Sequence, residues 1–415
     1  MSQETSSQSS HIQTRCCIAG GGPAGMMLGF LLARAGVEVV LLEKHKDFLR
    51  DFRGDTIHPS TLELMHELGL LDEFLKRPHQ ELKQLAGQIG GDRIPLADFS
   101  HLSTKCKFLA FMPQWDFLDF LAMHGKQYPT FHLLMETEVT DLIEEGASVV
   151  GVKAMAAGSQ LEIRASLTVG ADGRHSIVRE RARLTVEVLG APIDVLWFRI
   201  NRNSSDPGQV LGRFSRGKIM VMLDRGDYWQ CGFVIAKGTF EALQQRGFGL
   251  FHQDILDIAP FLKDRVSELR DWKEIKLLTV AVDRLLTWYR PGLLCIGDAS
   301  HAMSPVGGVG INLAIQDAVA TANLLAAKLS KGSVTTSDLQ RVQKRRLLPT
   351  RLTQRAQVFI QERVLGRALG QAQQTSAPWF LRIFKSLPIL QRIPAYLVGI
   401  GVRPEHIRTA DVFKR

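Results

Sequence analysis

The chain has 415 residues, of which 45% are hydrophobic and 22% are charged. This composition excludes a disordered protein, and the length favours two domains. The formal net charge of +9 suits anionic ligands, but the spread of basic residues does not indicate nucleic-acid binding. Residues 2–10 lack the apolar stretch of a secretory signal and the five cysteines are scattered, so we expect a cytoplasmic protein without a disulfide framework.

The first informative pattern is an apolar run, Cys16 to Ala19, followed by Gly20-x-Gly22-x-x-Gly25. It predicts a buried strand, a tight turn and a helix whose first backbone N–H groups approach a pyrophosphate. The run Val37 to Leu42 predicts a second buried strand, which ends at Glu43, an acid placed to bind a ribose diol. The alternative is a turn that needs only small residues, and the order of strand, helix, strand and acid disfavours it.

A helix follows, and its start is predicted at Ser60. Glu63 lies three residues on and completes a capping box, while Gly69 marks the end of the helix. His58 is either a proton relay for a phenol or a loop histidine before a helix cap, and the second interpretation is favoured.

The middle of the chain carries several patterns that predict strands. Apolar residues alternate from Leu161 to Val169 and predict a strand that ends in a sharp turn over 170–179. Further strand-like runs, Ile193 to Ile200, Lys218 to Leu223 and Tyr228 to Ile235, predict an inserted antiparallel sheet.

The most informative run lies further along the chain, from Leu293 onward. Leu293 to Ile296 predicts a buried strand that delivers Asp298 at its carboxyl end, where it is placed to accept a ribityl hydroxyl. Beyond it, Gly307, Gly308 and Gly310 allow the backbone to approach a flat ring, and a helical apolar period follows. Together with the first glycines, this run predicts bound FAD; a flexible loop is the alternative.

Three runs occur in one order: the glycine fingerprint, Asp-Gly-x-x-Ser-x-x-Arg over 172–179, and Gly-Asp-Ala-x-His over 297–301. In this the chain resembles the p-hydroxybenzoate hydroxylase-like FAD-dependent aromatic hydroxylases, which are single-component flavin monooxygenases, over about residues 14–345. The resemblance implies an α/β fold with a Rossmann-like FAD-binding domain and an inserted antiparallel-sheet substrate domain. Beyond the resemblance we expect a helical C-terminal segment.

The predicted organisation is discontinuous. We expect a disordered tail over 1–13, a FAD-binding domain and a substrate domain made of separate pieces, and a C-terminal segment over 346–415. The FAD-binding domain takes 14–75, 106–178 and 276–345, and the substrate domain takes 76–105 and 179–275.

The resemblance also assigns site residues. It gives Gly20, Gly22 and Gly25 to the pyrophosphate, Glu43 to the adenosine ribose and Asp298 to the ribityl chain, and it directs the backbone at Gly310, Ile311 and Asn312 toward the flavin. Arg53 and Gln114 match further FAD contacts, with a surface arginine and a helix-terminal polar residue as alternatives. Asp172 serves FAD and the pyridine nucleotide, or else it bonds its own turn.

The implied activity is hydroxylation of an aromatic or polyketide-like small molecule with NAD(P)H and O2, through a flavin C4a-hydroperoxide. A reductase of a lipid or isoprenoid and a non-enzymatic flavin-binding protein remain the alternatives. We expect a monomer or homodimer without nucleic acid or a metal site, and no catalytic acid or base is identified. For His301, packing is favoured over acid/base chemistry.

Two C-terminal patterns leave alternatives open. The basic cluster between Arg341 and Arg355 is predicted to decorate a solvated helical face. The apolar segment from Pro378 to Ile407 either packs over its own domain, which is favoured, or lies on a membrane surface. Its longest uncharged stretch is too short to span a bilayer.

Overall fold

The computed structural model describes residues 10–49, 56–89, 92–207, 212–215, 217–332, 334–365, 369, 383 and 385–414. In this part of the chain the helices are α1 Pro23–Arg34, α2 Pro59–Glu67, α3 Leu71–Phe74, α4 Gln114–Gly125, α5 Ile177–Arg181, α6 Phe240–Arg246, α7 Phe248–Ile258, α8 Gly310–Leu329, α9 Thr336–Ile360 and α10 Arg392–Gly399. The strands are β1 Ser10–Ala19, β2 Val39–Leu42, β3 Thr56–Ile57, β4 Gln80–Leu82, β5 Gln84–Ile89, β6 Asp92–Asp98, β7 Leu109–Phe111, β8 Phe131–Leu134, β9 Thr137–Glu145, β10 Ser148–Ala156, β11 Ser159–Gly170, β12 Val186–Val188, β13 Ile193–Asn201, β14 Gly212–Ser215, β15 Lys218–Asp224, β16 Tyr228–Ala236, β17 Lys276–Leu278, β18 Asp283–Leu285, β19 Tyr289–Arg290 and β20 Leu293–Cys295.

The first sheet has the order β19-β20-β11-β1-β2-β8, and β10 and β9 extend it from β11. The pairs β20–β11, β11–β1, β1–β2 and β2–β8 are parallel. Cys16, Cys17 and Ile18 of the central strand have no solvent exposure. Such a continuous apolar run is typical of a parallel strand covered on both faces, and helix α1 packs against both α8 and α4 in this layer.

The second sheet has the order β17-β13-β16-β15-β14-β5-β6. Its pairs are antiparallel except for β14 with β5. Helix α7 packs against β15 and β14 and covers one face with a core that contains Phe198, Trp229 and Phe251. The predicted runs 193–200, 218–223 and 228–235 correspond to β13, β15 and β16, so the inserted sheet is confirmed.

The α/β fold predicted from the sequence is therefore confirmed, whereas the domain borders stay predictions. Strand β1 begins at Ser10, within the tail predicted over 1–13. Strand β17 lies just beyond 275, the predicted end of the substrate domain. Helix α9 runs unbroken through the predicted border between residues 345 and 346, because Thr335 and Asp338 form a capping box that starts it earlier.

The predicted capping box at Ser60 is wrong. Helix α2 begins one residue earlier, at Pro59, with His58 as its N-cap and without a side-chain cap. Proline suits the first helical position because its ring presets φ and the missing N–H has no intrahelical partner there. Glu63 instead accepts a hydrogen bond from the backbone N–H of Lys105, at 2.7 Å.

The chain after α10 returns to the first sheet. Residues 401–414 have no helix or strand, yet the Tyr128 hydroxyl donates to Asp411 at 2.9 Å, and Arg34 lies 3.5 Å from the same carboxylate. The inner side of α10 also packs, with Ala395 in a core that includes Phe99 and Leu102. Packing of the C-terminal segment over its own domain is therefore present, although it leaves the outer side of α10 exposed.

Candidate functional site

The parallel strands of the first sheet end at one edge, and the predicted site residues follow them there. Gly20 comes after β1, Glu43 after β2, Asp172 after β11 and Asp298 after β20. Ligands of open α/β sheets bind at this carboxyl edge. Sequence order alone separates these residues by more than 250 positions, whereas the sheet places them side by side.

The glycine turn is closed tightly against its neighbours. Gly20 has φ +103°, and a Cβ there would lie 2.5 Å from the carbonyl oxygen of Ala171. A Cβ on Gly25 would lie 2.0 Å from the carbonyl oxygen of Gly20. These two glycines are required by the fold of the turn itself.

Gly22 differs from both. No heavy atom of the described residues lies within 4 Å of a Cβ built on it, and it is the N-cap of α1 without a side chain to bond the first N–H groups. Open space in front of unsatisfied helix N–H groups fits a pyrophosphate. The donor set at this turn therefore fits the phosphates of FAD.

Glu43 is buried at the end of β2 and already holds backbone. Its Oε2 accepts from the N–H of Gly21 at 3.0 Å, and its Oε1 accepts from the N–H of His45 at 3.1 Å. The His45 imidazole lies 2.5 Å from Oε1. The carboxylate thus lies at the strand end where the sequence predicts the ribose contact.

The turn after β11 meets the turn after β20. The Arg174 guanidinium lies 3.9 Å from Oδ2 of Asp298, whose side chain is about one third exposed. Asp172 accepts a hydrogen bond from the N–H of Val178 at 3.1 Å, which is the turn-bonding alternative left open by the sequence. Its other oxygen, Oδ1, is buried without a hydrogen-bond partner in the described part of the chain. Burial raises the pKa of Asp172 above its ordinary value, against hydrogen bonds from Ser176 and Val178 that lower it.

Helix α8 begins where the second glycine cluster ends. Gly307 and Gly308 have φ +80° and +62°, and Gly310 is the first helical residue. Its N-cap residue, Val309, gives no side-chain hydrogen bond, and no described side chain accepts from the N–H groups at Gly310 and Ile311. Such a terminus favours negative charge by about 0.3–1 kcal/mol when exposed and up to about 2 kcal/mol when partly buried.

Asn312 locks this helix end to the segment before α2. Its Oδ1 accepts from the Thr61 hydroxyl at 2.6 Å and from the N–H of His58 at 3.2 Å. The side chain thus holds structure, which leaves its backbone as the part that can face a flavin.

His58 lies beside Gly308, in the loop before α8, and is fully buried. Its Nδ1 lies 2.6 Å from the carbonyl oxygen of Val398, and its Nε2 has no hydrogen-bond partner among the described residues. Burial lowers the pKa of His58 to about 4, although the carbonyl groups of Val398 and Gly308 favour the protonated form. The imidazole is therefore neutral near pH 7.

A buried ionic cluster supports the turn of Asp298 from below. Asp317 has no exposure; its Oδ2 accepts from the N–H of Gly297 at 3.1 Å and lies 2.6 Å from Nε2 of His301. Its Oδ1 accepts from Nε of Arg346 at 2.9 Å, and Nη1 of Arg346 lies 3.4 Å from Glu405. Burial would raise the pKa of Asp317, but His301 and Arg346 outweigh it and hold the pKa below the ordinary value.

This cluster corrects one prediction. Arg346 is 1% exposed, so the basic cluster does not lie wholly on a solvated face. Sequence reasoning missed Asp317, although one signal was present, namely an acid among Ile315, Ala318 and Val319 in an apolar helix. For His301, the favoured interpretation was packing, and the residue is buried against Trp288, with ring centroids 5.1 Å apart.

The two remaining assignments have different outcomes. Gln114 is the first residue of α4 and is half-buried, so it occupies the helix start expected for it. Arg53 lies outside the described residues. Within the described ranges, no group of three His, Cys, Asp or Glu side chains could hold a metal ion.

The loop before α8 also meets the second sheet. Val306 packs against a cluster that contains Ile193, Ile219 and Val234 on the face opposite α7. The stretch Val306–Leu329 is long and apolar enough to cross a membrane, but 83% of its apolar window is buried inside the protein. It therefore serves here as a core element that packs against α1 and α9.

Similarity to known proteins agrees with this geometry. The FAD binding domain family matches residues 13–356. The 6-methylpretetramide 4-monooxygenase of Streptomyces rimosus is 31% identical over 385 residues, which cover 92% of this chain and 90% of the relative.

Two solved structures share the fold. The p-nitrophenol 4-monooxygenase PnpA from Pseudomonas putida aligns with TM-score 0.73 and 22% identity, covering 95% of this chain and 100% of that one. The anhydrotetracycline hydroxylase OxyS from Streptomyces rimosus aligns with TM-score 0.71 and 21% identity, covering 94% and 76%. Together with the family match, these relatives confirm the resemblance to FAD-dependent aromatic hydroxylases. The chain belongs to the FAD binding domain family and is an FAD-dependent monooxygenase, an oxidoreductase.

Proposed function

We propose that the enzyme hydroxylates an aromatic or polyketide-like small molecule with NAD(P)H and O2. The observation that carries the proposal is the meeting of three parts: the carboxyl edge of the parallel sheet, the uncapped start of α8 and the apolar face of the second sheet. The named relatives include a 6-methylpretetramide 4-monooxygenase and a para-nitrophenol 4-monooxygenase, which supports this substrate class.

The proposed FAD contacts follow the strand edge. The N–H groups after Gly22 would bind the pyrophosphate, Glu43 the adenosine ribose and Asp298 the ribityl chain. Backbone N–H groups at Ile311 and Asn312 would face the pyrimidine side of the ring, where the α8 terminus stabilises negative charge. Gln114 and Arg53 are proposed as further contacts, and Asp172 would serve FAD and the pyridine nucleotide through its unbonded oxygen.

The substrate is proposed to lie between the loop at Pro305 and the second sheet. Val306 packs against the apolar cluster of that sheet, so apolar side chains line this side of the proposed position. An apolar lining binds an aromatic ring by burial and keeps water from the reacting atoms. Described residues of the cluster also include Phe214 and Leu365.

Bound FAD would supply the redox chemistry. The protein itself would bind and orient the cofactor and the substrate and exclude water. Nδ1 of the neutral His58 lies 2.6 Å from the carbonyl oxygen of Val398. Because this nitrogen is already engaged, the proposal gives His58 a role in holding the segment before α2 and none in proton transfer. We propose a cytoplasmic location because all five cysteines are buried free thiols.

The test is anaerobic reduction of the purified enzyme by NADPH and by NADH, followed by mixing with oxygenated buffer while the flavin absorbance is recorded. A transient absorbance intermediate before reoxidation, with a phenol present, supports monooxygenation. Reduction followed by direct reoxidation with every phenol and polyketide tried would instead favour a reductase.

A further inference from the structure

The net charge of the protein is concentrated in one segment. Residues 339–404 contain twelve Lys or Arg and a single acid, Glu362, which gives a net charge of +11 against +9 for the entire chain. The rest of the chain is therefore close to neutral. The proposed FAD contacts lie on other elements of the chain. FAD therefore does not account for this local excess of positive charge.

Helix α9 presents part of this charge on an exposed stripe. The stripe repeats every three or four residues, which places its members on one side of the helix. Its exposed members are Arg341, Lys344, Leu348, Arg351, Leu352, Arg355 and Phe359. Lys344, Arg351 and Arg355 make no ion pair with the described part of the chain, so their charge is available to a partner.

Large apolar side chains share the stripe with the cations. Phe359 is 62% exposed and Leu348 is 51% exposed. Isolated exposed leucines are ordinary on protein surfaces, but a row of them flanked by arginines marks an interaction surface.

Helix α10 lies near α9 and exposes further apolar side chains. Ile393 is 62% exposed, and Tyr396 and Leu397 are each 50% exposed. Leu397 lines a small cavity together with Pro349 and Thr353 of α9, so the two helices are neighbours. We call the α9 stripe together with Ile389, Arg392, Ile393, Tyr396 and Leu397 the basic apolar surface.

We propose that the basic apolar surface docks the enzyme on an anionic lipid bilayer. Arginine and lysine heads would bind lipid phosphates, and the apolar side chains would enter the boundary between headgroups and acyl chains. A second copy of the chain fits poorly, because it would place two strongly positive surfaces together. An acidic protein would match the charge but not the row of protruding apolar side chains.

The test is co-sedimentation of the full-length, FAD-loaded enzyme with vesicles of phosphatidylcholine alone and of phosphatidylcholine mixed equally with phosphatidylglycerol. We expect binding to the mixed vesicles only, weakening as salt is added. The variant Arg351→Glu/Arg355→Glu should lower the partition coefficient about tenfold or more. Leu348→Ser/Leu352→Ser should also weaken binding, while the FAD content and the turnover in solution stay unchanged.

Lys83→Glu/Lys153→Glu is the matched control, because it reverses two exposed cations outside the basic apolar surface. It should bind vesicles nearly as the parent does. Equal loss in both charge variants would overturn the proposal by reducing it to net charge. Failure of the parent enzyme to bind the mixed vesicles would also overturn it, and would favour an acidic protein partner. A parent dimer that Leu348→Ser/Leu352→Ser converts to a monomer would identify a second copy as the occupant.

Discussion

Asp317 and Arg346 form an ion pair, 2.9 Å between Oδ1 and Nε, with both side chains at or below 1% exposure. The pair joins α8 to α9, and the second carboxylate oxygen holds the N–H of Gly297, next to Asp298. A buried pair of this kind costs desolvation, so its removal on one side only leaves the other charge uncompensated. The cluster therefore couples stability to the geometry of the proposed ribityl site.

Asp317→Asn should be strongly destabilising. The variant keeps the size of the side chain but leaves Arg346 with only the more distant Glu405, and its amide N–H would face another donor. We expect a loss of about 3–5 kcal/mol in the free energy of unfolding, measured in urea, together with weaker FAD binding. Glu405→Gln is the control, since Arg346 keeps Asp317, and it should cost clearly less. Equal losses in the two variants would show that Asp317 has no special role.

How much of this site the sequence predicts depends on whether the signal is local. Glycines that close a turn and an acid that ends a strand are tied to the backbone within a few residues, so local patterns predict Gly20, Gly25, Glu43 and Asp298 at the strand ends where the structure has them. Their contacts with FAD stay predictions. The inserted sheet was also predictable, because each strand carries its own pattern.

The features that the sequence did not predict depend on distant partners. Arg346 looks like part of a solvated basic face because its acid, Asp317, lies 29 residues away on another helix. The capping box at Ser60 satisfied the local pattern, but Pro59 is a stronger start in the folded chain. Likewise, β10 extends the first sheet by pairing with β11, and β9 pairs with β10, which no local pattern specifies.

Glu43→Gln tests the proposed ribose contact. One oxygen remains for the N–H of Gly21 or His45, but the charge that strengthens hydrogen bonds to a diol is lost. Hydrogen bonds to charged groups contribute about 1.5–3 kcal/mol, so FAD affinity should fall roughly ten- to a hundredfold in a fluorescence titration. Glu38→Gln removes an acid at the opposite end of the same strand and should leave affinity nearly unchanged. Unaltered affinity in Glu43→Gln would mean that the carboxylate only holds backbone.

His58 predicts a pH dependence of stability. Its pKa in the folded protein is about 4, below the ordinary 6.5, so between these values the unfolded chain binds more protons. The contribution is fully present above about pH 6.5 and is lost as pH falls toward 4, by up to about 3 kcal/mol. His58→Asn cannot titrate but retains a donor for the carbonyl of Val398, so its unfolding free energy should fall less on acidification. Replacement of the exposed His175 by Asn is the control; if His58→Asn shows the parent slope, His58 is not buried as described.

Gly22 and Gly25 separate a ligand contact from a structural requirement within one motif. A methyl group at Gly25 would lie 2.0 Å from the carbonyl oxygen of Gly20, so Gly25→Ala should disrupt the turn and lower stability by several kcal/mol even without FAD. At Gly22 the methyl group meets nothing within 4 Å, and φ −73° is open to alanine. Gly22→Ala should therefore change the stability of the apoprotein by less than about 0.5 kcal/mol.

The same Gly22→Ala variant should bind FAD at least about tenfold more weakly, because the added methyl group occupies the space proposed for the pyrophosphate. Thermal unfolding of the apoprotein and a flavin titration of each variant supply the two readouts. The combination of unchanged apoprotein stability and lost affinity cannot come from damage to the fold, so it would locate the pyrophosphate at this helix end. Parent-like affinity in Gly22→Ala would place the pyrophosphate elsewhere on the strand edge.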